Sequence, residues 1–239
     1  MRPRAVLLDI EGTTTPISFV TDTLFPYARQ RGREFILNHI ADQEIHEALR
    51  QLQIDNRVDR SDGAPPIEGN SKQAIDCTID YYLWLIDKDR KSTALKTIQG
   101  RIWREGYERG ELQSTIFADV LPALERWSQV GRITAIYSSG SVLAQEELFR
   151  NTIHGDLTRF ISSYFDTRVG PKKQVSSYSK IAQSLGNPAN EILFVSDVVA
   201  ELDAALLAGM MTALAVRPGN PSNQERTGHP VIRSFEELP

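Results

Sequence analysis

Ala5-Val6-Leu7-Leu8-Asp9-Ile10-Glu11-Gly12-Thr13-Thr14-Thr15 is the stretch from which the rest of the chain is read. A short apolar run, β-branched at Val6, stops at two carboxylates spaced two apart, followed by Gly12 and three hydroxyl residues. An apolar run of this length bounded by turn residues predicts a strand buried on both faces of a parallel sheet. In open α/β sheets, ligands bind beyond the carboxyl ends of the strands, where Asp9 and Glu11 fall. Two acids so placed repel each other unless a cation or a proton separates them, so the pair points to a metal or to acid/base chemistry. On this stretch alone, a strand ending in a solvated acidic turn reads equally well.

Composition narrows the class. The chain has 239 residues, 41% hydrophobic and 24% charged, ordinary for a soluble globular protein and long enough for a core carrying an inserted domain. A net charge of -4 argues against nucleic-acid and anionic-membrane partners, both of which need a basic surface. The single cysteine, Cys77, excludes an internal disulfide framework and a multi-cysteine metal site; in its apolar helical pattern it reads as a buried, inert thiol. Arg2 and Arg4 are followed by too few apolar residues for a signal-peptide core, and no apolar run approaches bilayer-spanning length. A cytoplasmic enzyme is expected.

Outward from the first strand, residues 17–40 read as helical, with Pro26 dividing or kinking the helix. Asp42 caps a second helix carrying Ile45, Leu49 and Leu52, and residues 55–69 read as an exposed loop. Asn70 or Ser71 opens a long helix through Asp89, in which Tyr81, Tyr82 and Trp84 read as core; Ser92 or Thr93 caps another, carrying Leu95, Ile98, Ile102 and Trp103. After Gly110 the pattern changes. Helices are expected at 119–129, 142–149, 176–185 and 199–208, alternating with strands at 132–137, 160–165, 192–195 and 212–216. This alternation implies parallel βαβ units joined by right-handed crossovers, interrupted after the first strand by a helical insert.

Three of these strands end in residues suited to phosphate chemistry. The first gives Asp9 and Glu11. The second gives Ser138, Ser139, Gly140 and Ser141 just before a helix, where hydroxyls and free N–H groups favour an anion. The strand at 192–195 is followed by Ser196 and Asp197, with Glu201 one turn on, and Gly170-Pro171-Lys172-Lys173 offers a cation on a rigid turn. Each reads singly as a cap, a turn or a surface charge; their joint occurrence at the strand ends of one sheet is what favours a site.

The order Asp-x-Glu-Gly-Thr, Ser-Ser-Gly-Ser, Pro-Lys and Ser-Asp resembles the four motifs of the haloacid dehalogenase superfamily of phosphatases. More narrowly, the run from Asp9 through Thr15-Pro16-Ile17, together with Trp103-Arg104-Glu105-Gly106-Tyr107 and Val216-Arg217-Pro218-Gly219-Asn220, resembles the enolase-phosphatases of methionine salvage. Glu11 stands where most phosphatases of the superfamily carry Asp, and Glu is the residue of the enolase-phosphatase branch. The resemblance implies an α/β fold: a parallel-sheet, Rossmann-like core from residues 1–15 and 116–239, with an all-helical cap inserted at 16–115.

The roles it implies are these. Asp9 is the nucleophile that forms an aspartyl-phosphate, and Glu11 protonates the leaving oxygen and then activates water. One magnesium ion per subunit is held by Asp9, Asp197 and the backbone or side chain of Glu11, with Glu201 orienting that site. Ser139, the Gly140 amide and Lys172 hold the phosphoryl oxygens, and Ser138 and Ser139 face the substrate. The substrate implied is 2,3-diketo-5-methylthiopentyl-1-phosphate, enolised and then dephosphorylated to 1,2-dihydroxy-3-keto-5-methylthiopentene by a monomeric enzyme. Glu11 and Lys172 both remain candidates for the enolising base. Other capped magnesium-dependent phosphomonoesterases and a phosphosugar mutase share the same motifs, and a catalytically inactive binding module on this fold is the alternative from another class, against which every catalytic position is filled by a competent residue. A mutase would need a second phosphate site in the cap, where no basic cluster argues for one.

Overall fold

The computed structural model describes residues 2–69, 71–90, 92–221 and 228–239. Among these residues, six parallel strands form one sheet in the order β3-β2-β1-β4-β5-β6: β1 Ala5–Leu8, β2 Ile133–Tyr137, β3 Ser163–Phe165, β4 Ile192–Ser196, β5 Met211–Ala215 and β6 Val231–Ile232. Every residue of β1 is fully buried, as a strand covered on both faces must be. It lies between β2 and β4, with Leu8 opposite Ile136 on one side and Val195 on the other. That register brings Asp9, Ser138 and Asp197 to one end of the sheet, and the Asp9 amide extends the pairing by donating to Val195 O at 3.0 Å.

The chain divides into two compact units, Met1–Val20 with Leu112–Pro239, and Thr21–Glu111. The first holds the sheet. Leu7, Tyr137, Tyr178, Phe194, Leu202 and Leu214 share one fully buried cluster within it. The short helix α1 (Ile17–Phe19) runs into a π-helical turn, Val20–Leu24. The second unit contains α2 (Phe25–Asn38), α3 (Gln43–Asp59), α4 (Ser71–Asp87) and α5 (Thr93–Glu108). The expected division of the 17–40 helix falls just before Pro26: the π-helical turn gives way to α2 at Phe25, and Pro26 sits in the first turn of α2. Asp42 and Ser92 cap α3 and α5, accepting from Glu44 N and Leu95 N. Tyr81 and Tyr82 are core, and Gly32 admits Tyr82: a Cβ there would overlap the ring.

Four readings of the sequence are revised. The loop expected at 55–69 begins inside α3, which continues to Asp59 and into a 3-10 turn at Arg60–Asp62, because Asn56 is buried and its side chain donates to Pro65 O. Cys77 is only half-buried, its thiol directed at Glu68 O. The strand expected at 160–165 shrinks to Ser163–Phe165, its start being a 3-10 turn, Thr158–Phe160. A sixth strand, Val231–Ile232, pairs with β5; two residues are too few to show a period. Asn70, one of two residues expected to open α4, lies outside the described residues.

The sheet's remaining cover comes from α6 (Val120–Gln129), α7 (Val142–Arg150), α8 (Val175–Leu185) and α9 (Val199–Leu207), each close to its expected span.

Candidate active site

Asp9 is buried at the carboxyl end of β1, and both of its oxygens are engaged. Oδ1 accepts from the Ile10 amide at 2.8 Å and lies 2.6 Å from Lys172 Nζ; Oδ2 is 3.0 Å from Ser196 Oγ. The same Nζ is 2.6 Å from Glu201 Oε2, so one ammonium bridges two carboxylates. Ser196 Oγ lies 3.1 Å from Glu201 Oε2 and accepts from the Val198 amide; its single proton can go to Asp9 or to Glu201, not to both.

Lys172 reaches this point from a loop that is held carbonyl by carbonyl. Gly170 O, Pro171 O and Lys172 O accept in turn from Tyr137 OH (2.8 Å), Ser177 Oγ (2.8 Å) and Tyr178 OH (2.6 Å). The ammonium also lies 5.7 Å from the centre of the Tyr137 ring. Burial would push the Lys172 amine down, but Asp9 and Glu201 outweigh it and hold the group above its ordinary value, as an ammonium.

The acids around it pay the electrostatic cost. Burial first, and then the negative charge of Asp9, push the Asp197 carboxyl up to about 7; Lys172 pulls in the opposite direction and does not prevail. Burial and Asp9 raise Glu201 as well. Gly12 is what lets Asp197 come so near the first loop. Its φ is +66°, and a Cβ there would lie 2.5 Å from Asp197 Oδ2 and 2.9 Å from Asn220 Oδ1.

The remaining expected residues are close to this group in the fold. Ser138 is buried beyond β2, and its hydroxyl accepts from the Gly140 amide at 3.2 Å, so these two groups face each other. Ser139 is half-buried, and Ser141 caps α7 by accepting from Ala144 N. Glu11 is exposed, and the Gly12 amide that follows it donates to Thr15 O at 2.8 Å. The structure thus brings together Asp9, Lys172, Asp197 and Glu201, with Ser138, Ser139 and Gly140 at the end of the neighbouring strand.

Sequence reasoning assigned no role to Ser196, Arg217 or Asn220. Ser196 was legible as the residue before Asp197, yet nothing in a serine's identity says that it will stand between two acids. Arg217 and Asn220 donate to Thr13 O and Gly12 O, contacts that only the folded chain reveals.

Among the described residues, no three His, Cys, Asp or Glu side chains are gathered as a metal cluster. A magnesium ion does not require one: it takes one or two carboxylates and keeps several waters. The residues here fit that demand, being hard oxygen donors only, and the elevated Asp197 carboxyl beside Asp9 marks a place where a cation would relieve repulsion.

The family model of haloacid dehalogenase-like hydrolases matches residues 3–209. The chain is 48% identical over 233 residues to enolase-phosphatase E1 of Synechococcus elongatus, covering 98% of this chain and 96% of that protein. It is 40% identical over 241 residues to enolase-phosphatase E1 of Xenopus tropicalis, covering 98% and 93%. The crystal structure of the UTR4 protein of Saccharomyces cerevisiae superposes with a TM-score of 0.80 at 35% identity, covering 99% of this chain and 100% of that one.

Proposed function

This chain belongs to the enolase-phosphatases within the haloacid dehalogenase-like hydrolases, and from that membership we propose that it converts 2,3-diketo-5-methylthiopentyl-1-phosphate to 1,2-dihydroxy-3-keto-5-methylthiopentene and phosphate in methionine salvage. The observation that carries the reading is Asp9, buried at a strand end and held between Lys172 and Ser196. A carboxylate fixed in this way is ready for in-line attack on phosphorus.

Enolisation comes first. A proton leaves the carbon that bears the phosphate ester, and the charge that develops on the neighbouring carbonyl oxygen is neutralised by a proton from solvent, giving the enol. Lys172, held as an ammonium by two carboxylates, is a poor base, which favours Glu11 as the acceptor of that proton. Asp9 then attacks phosphorus, the bond to the ester oxygen breaks, and Glu11 returns a proton to that oxygen. Glu11 next takes a proton from water, which attacks the aspartyl-phosphate and releases inorganic phosphate and free Asp9; Glu11 then gives that proton to solvent and is a base again. Lys172, Ser139 and the backbone at Gly140 would bind the phosphoryl oxygens as charge spreads over them. Magnesium, when bound, offsets the repulsion between an attacking carboxylate and a phosphate dianion; Asp9, Asp197 and a backbone or side-chain oxygen of Glu11 would hold it, one ion per subunit. Glu201 and Ser196 keep Lys172 and Asp9 aligned.

On the same reading, the helical insert at residues 16–115 serves as a cap, and the enzyme acts as a monomer in the cytoplasm. No helix among the described residues is long and apolar enough to cross a membrane.

The test is phosphate release from the diketo phosphate and from a panel of common phosphomonoesters, with magnesium and with chelator. Magnesium-dependent release confined to the diketo substrate, preceded by enol absorbance, is the expected result. Release from many esters would leave a broad phosphomonoesterase; none from folded protein would leave a binding module.

A further inference from the structure

We propose that the turn after β5 is the positioning element for Glu11: Arg217 and Asn220 together hold the two peptide carbonyls that follow it. The inference rests on the acid/base role given to Glu11 above.

The loop from Gly12 to Thr15 has its backbone groups fully assigned. The amides of Thr13, Thr14 and Thr15 all converge on Ile10 O, at 3.1, 2.9 and 3.0 Å. Thr14 O accepts from Phe117 N and Thr15 O from Gly12 N. The other two carbonyls are reached from the far end of the sequence: Gly12 O accepts from Asn220 Nδ2 at 2.9 Å and Thr13 O from Arg217 Nε at 3.1 Å. Of the loop's own side chains only Thr14 ties back, its hydroxyl lying 3.2 Å from Asp9 O and 3.3 Å from Ile10 O; the buried hydroxyls of Thr13 and Thr15 have no hydrogen-bond partner, and none of the three reaches Gly12 O or Thr13 O. Without the two side chains, two buried carbonyls would be orphaned next to the acid/base residue.

Both side chains are themselves fixed. Asn220 Nδ2 also donates to Ala215 O at 3.2 Å, so two acceptors dictate which end of the amide faces the loop. Arg217 is buried between the rings of Phe117 and Phe235, its guanidinium carbon 4.8 and 4.5 Å from their centres. One of its nitrogens bonds Asp119 Oδ2 at 2.7 Å and Arg233 O at 2.9 Å. Asp119 Oδ2 in turn accepts from the Phe235 amide at 2.6 Å. Burying an arginine is costly, and here the buried fork spans from a stacked ion pair to a single loop carbonyl. Lysine could keep the charge pair with Asp119 but could not also reach Thr13 O as a planar fork does.

Asn220→Ala, Arg217→Lys and the double variant are the test, each checked by thermal melting for a folded protein. Two readouts are taken: hydrogen exchange in the segment Gly12–Thr15, and kcat and KM for the diketo phosphate. The clamp predicts faster exchange in that segment, with β1 and β4 still protected. It also predicts kcat lowered by about 10- to 100-fold with KM unchanged, because substrate contacts stay in place while the acid/base group loses its aim. The double variant should cost less than the sum of the single ones, since both act on one loop. Unchanged exchange in the segment overturns the proposal, as does faster exchange with kcat at the wild-type value. If the wild-type enzyme releases phosphate from no ester, the functional reading is what fails, and exchange alone then decides whether the clamp exists.

Discussion

Gly12 and Asp197 approach so closely that any side chain at position 12 would collide with the Asp197 carboxylate, a Cβ falling 2.5 Å from Oδ2. Position 12 is also left-handed, with φ at +66°. Gly12→Ala therefore carries both a steric and a conformational cost. We expect a loss of about 1–3 kcal/mol in urea denaturation and a weaker magnesium-induced rise in Tm. A variant with wild-type stability and wild-type response to magnesium would contradict the close approach.

Replacing Lys172 with Met removes the only ammonium between Asp9 and Glu201 among the described residues. Breaking a buried ion pair from one side costs about 3–5 kcal/mol when the partner stays charged. The stranded carboxylates can escape that cost by taking up protons, so the destabilisation should be larger at pH 8 than at pH 5. Denaturation midpoints at the two pH values check this; equal losses would mean that Lys172 does not hold the acids ionised.

Asp9→Asn should abolish phosphate release while leaving a folded protein, because the amide keeps the shape of the side chain and loses the nucleophile. Intact thermal melting together with normal turnover would remove Asp9 from its role.

The Asp197 carboxyl titrates near 7 in the fold, against an ordinary value of 3.8. Between those values the folded chain binds more protons than the unfolded one, so the contribution of Asp197 to stability is full at low pH and is lost as pH rises through about 7. Glu201, also raised, acts in the same direction. A magnesium ion needs the ionised form, so its stabilising effect must grow over the same range. Calorimetry of metal-free protein should show Tm falling from pH 5 to pH 8, and added magnesium should raise Tm more at pH 8 than at pH 6. A magnesium effect independent of pH would exclude Asp197 as a ligand.

Glu11→Gln separates the two half-reactions. With Glu11 as the base, both the enol absorbance and phosphate release should disappear. Full-rate enolisation in this variant, followed by stalled hydrolysis, would reassign the base.

The frame of this molecule was legible because its signals are local. Four buried strands announce themselves as short apolar runs, and the residues just beyond them, Asp9, Ser138 and Asp197, follow once the strands are taken as parallel. What escaped depends on meetings between distant residues. Val231 and Ile232 form a strand only because β5 offers an edge. The polar tract after Asp55 stays helical because Asn56 finds a carbonyl nine residues on. Lys172 reads in sequence as a phosphate-binding cation, yet it is the surrounding acids and three anchoring hydroxyls that determine its charge state and place.

The position of β1 in the middle of the sheet has a consequence for biosynthesis. Ala5–Leu8 is synthesised before both of its partners, β2 and β4, which lie beyond the helical unit and leave the ribosome much later. Translation adds roughly 5–20 residues per second, so this wholly apolar strand spends many seconds on the nascent chain without a neighbour. The helices of the second unit rely on contacts close in sequence and can form in that interval, whereas the sheet must wait for its distant strands. Asp9 is thus made well before β4 and Lys172, the partners that complete its surroundings.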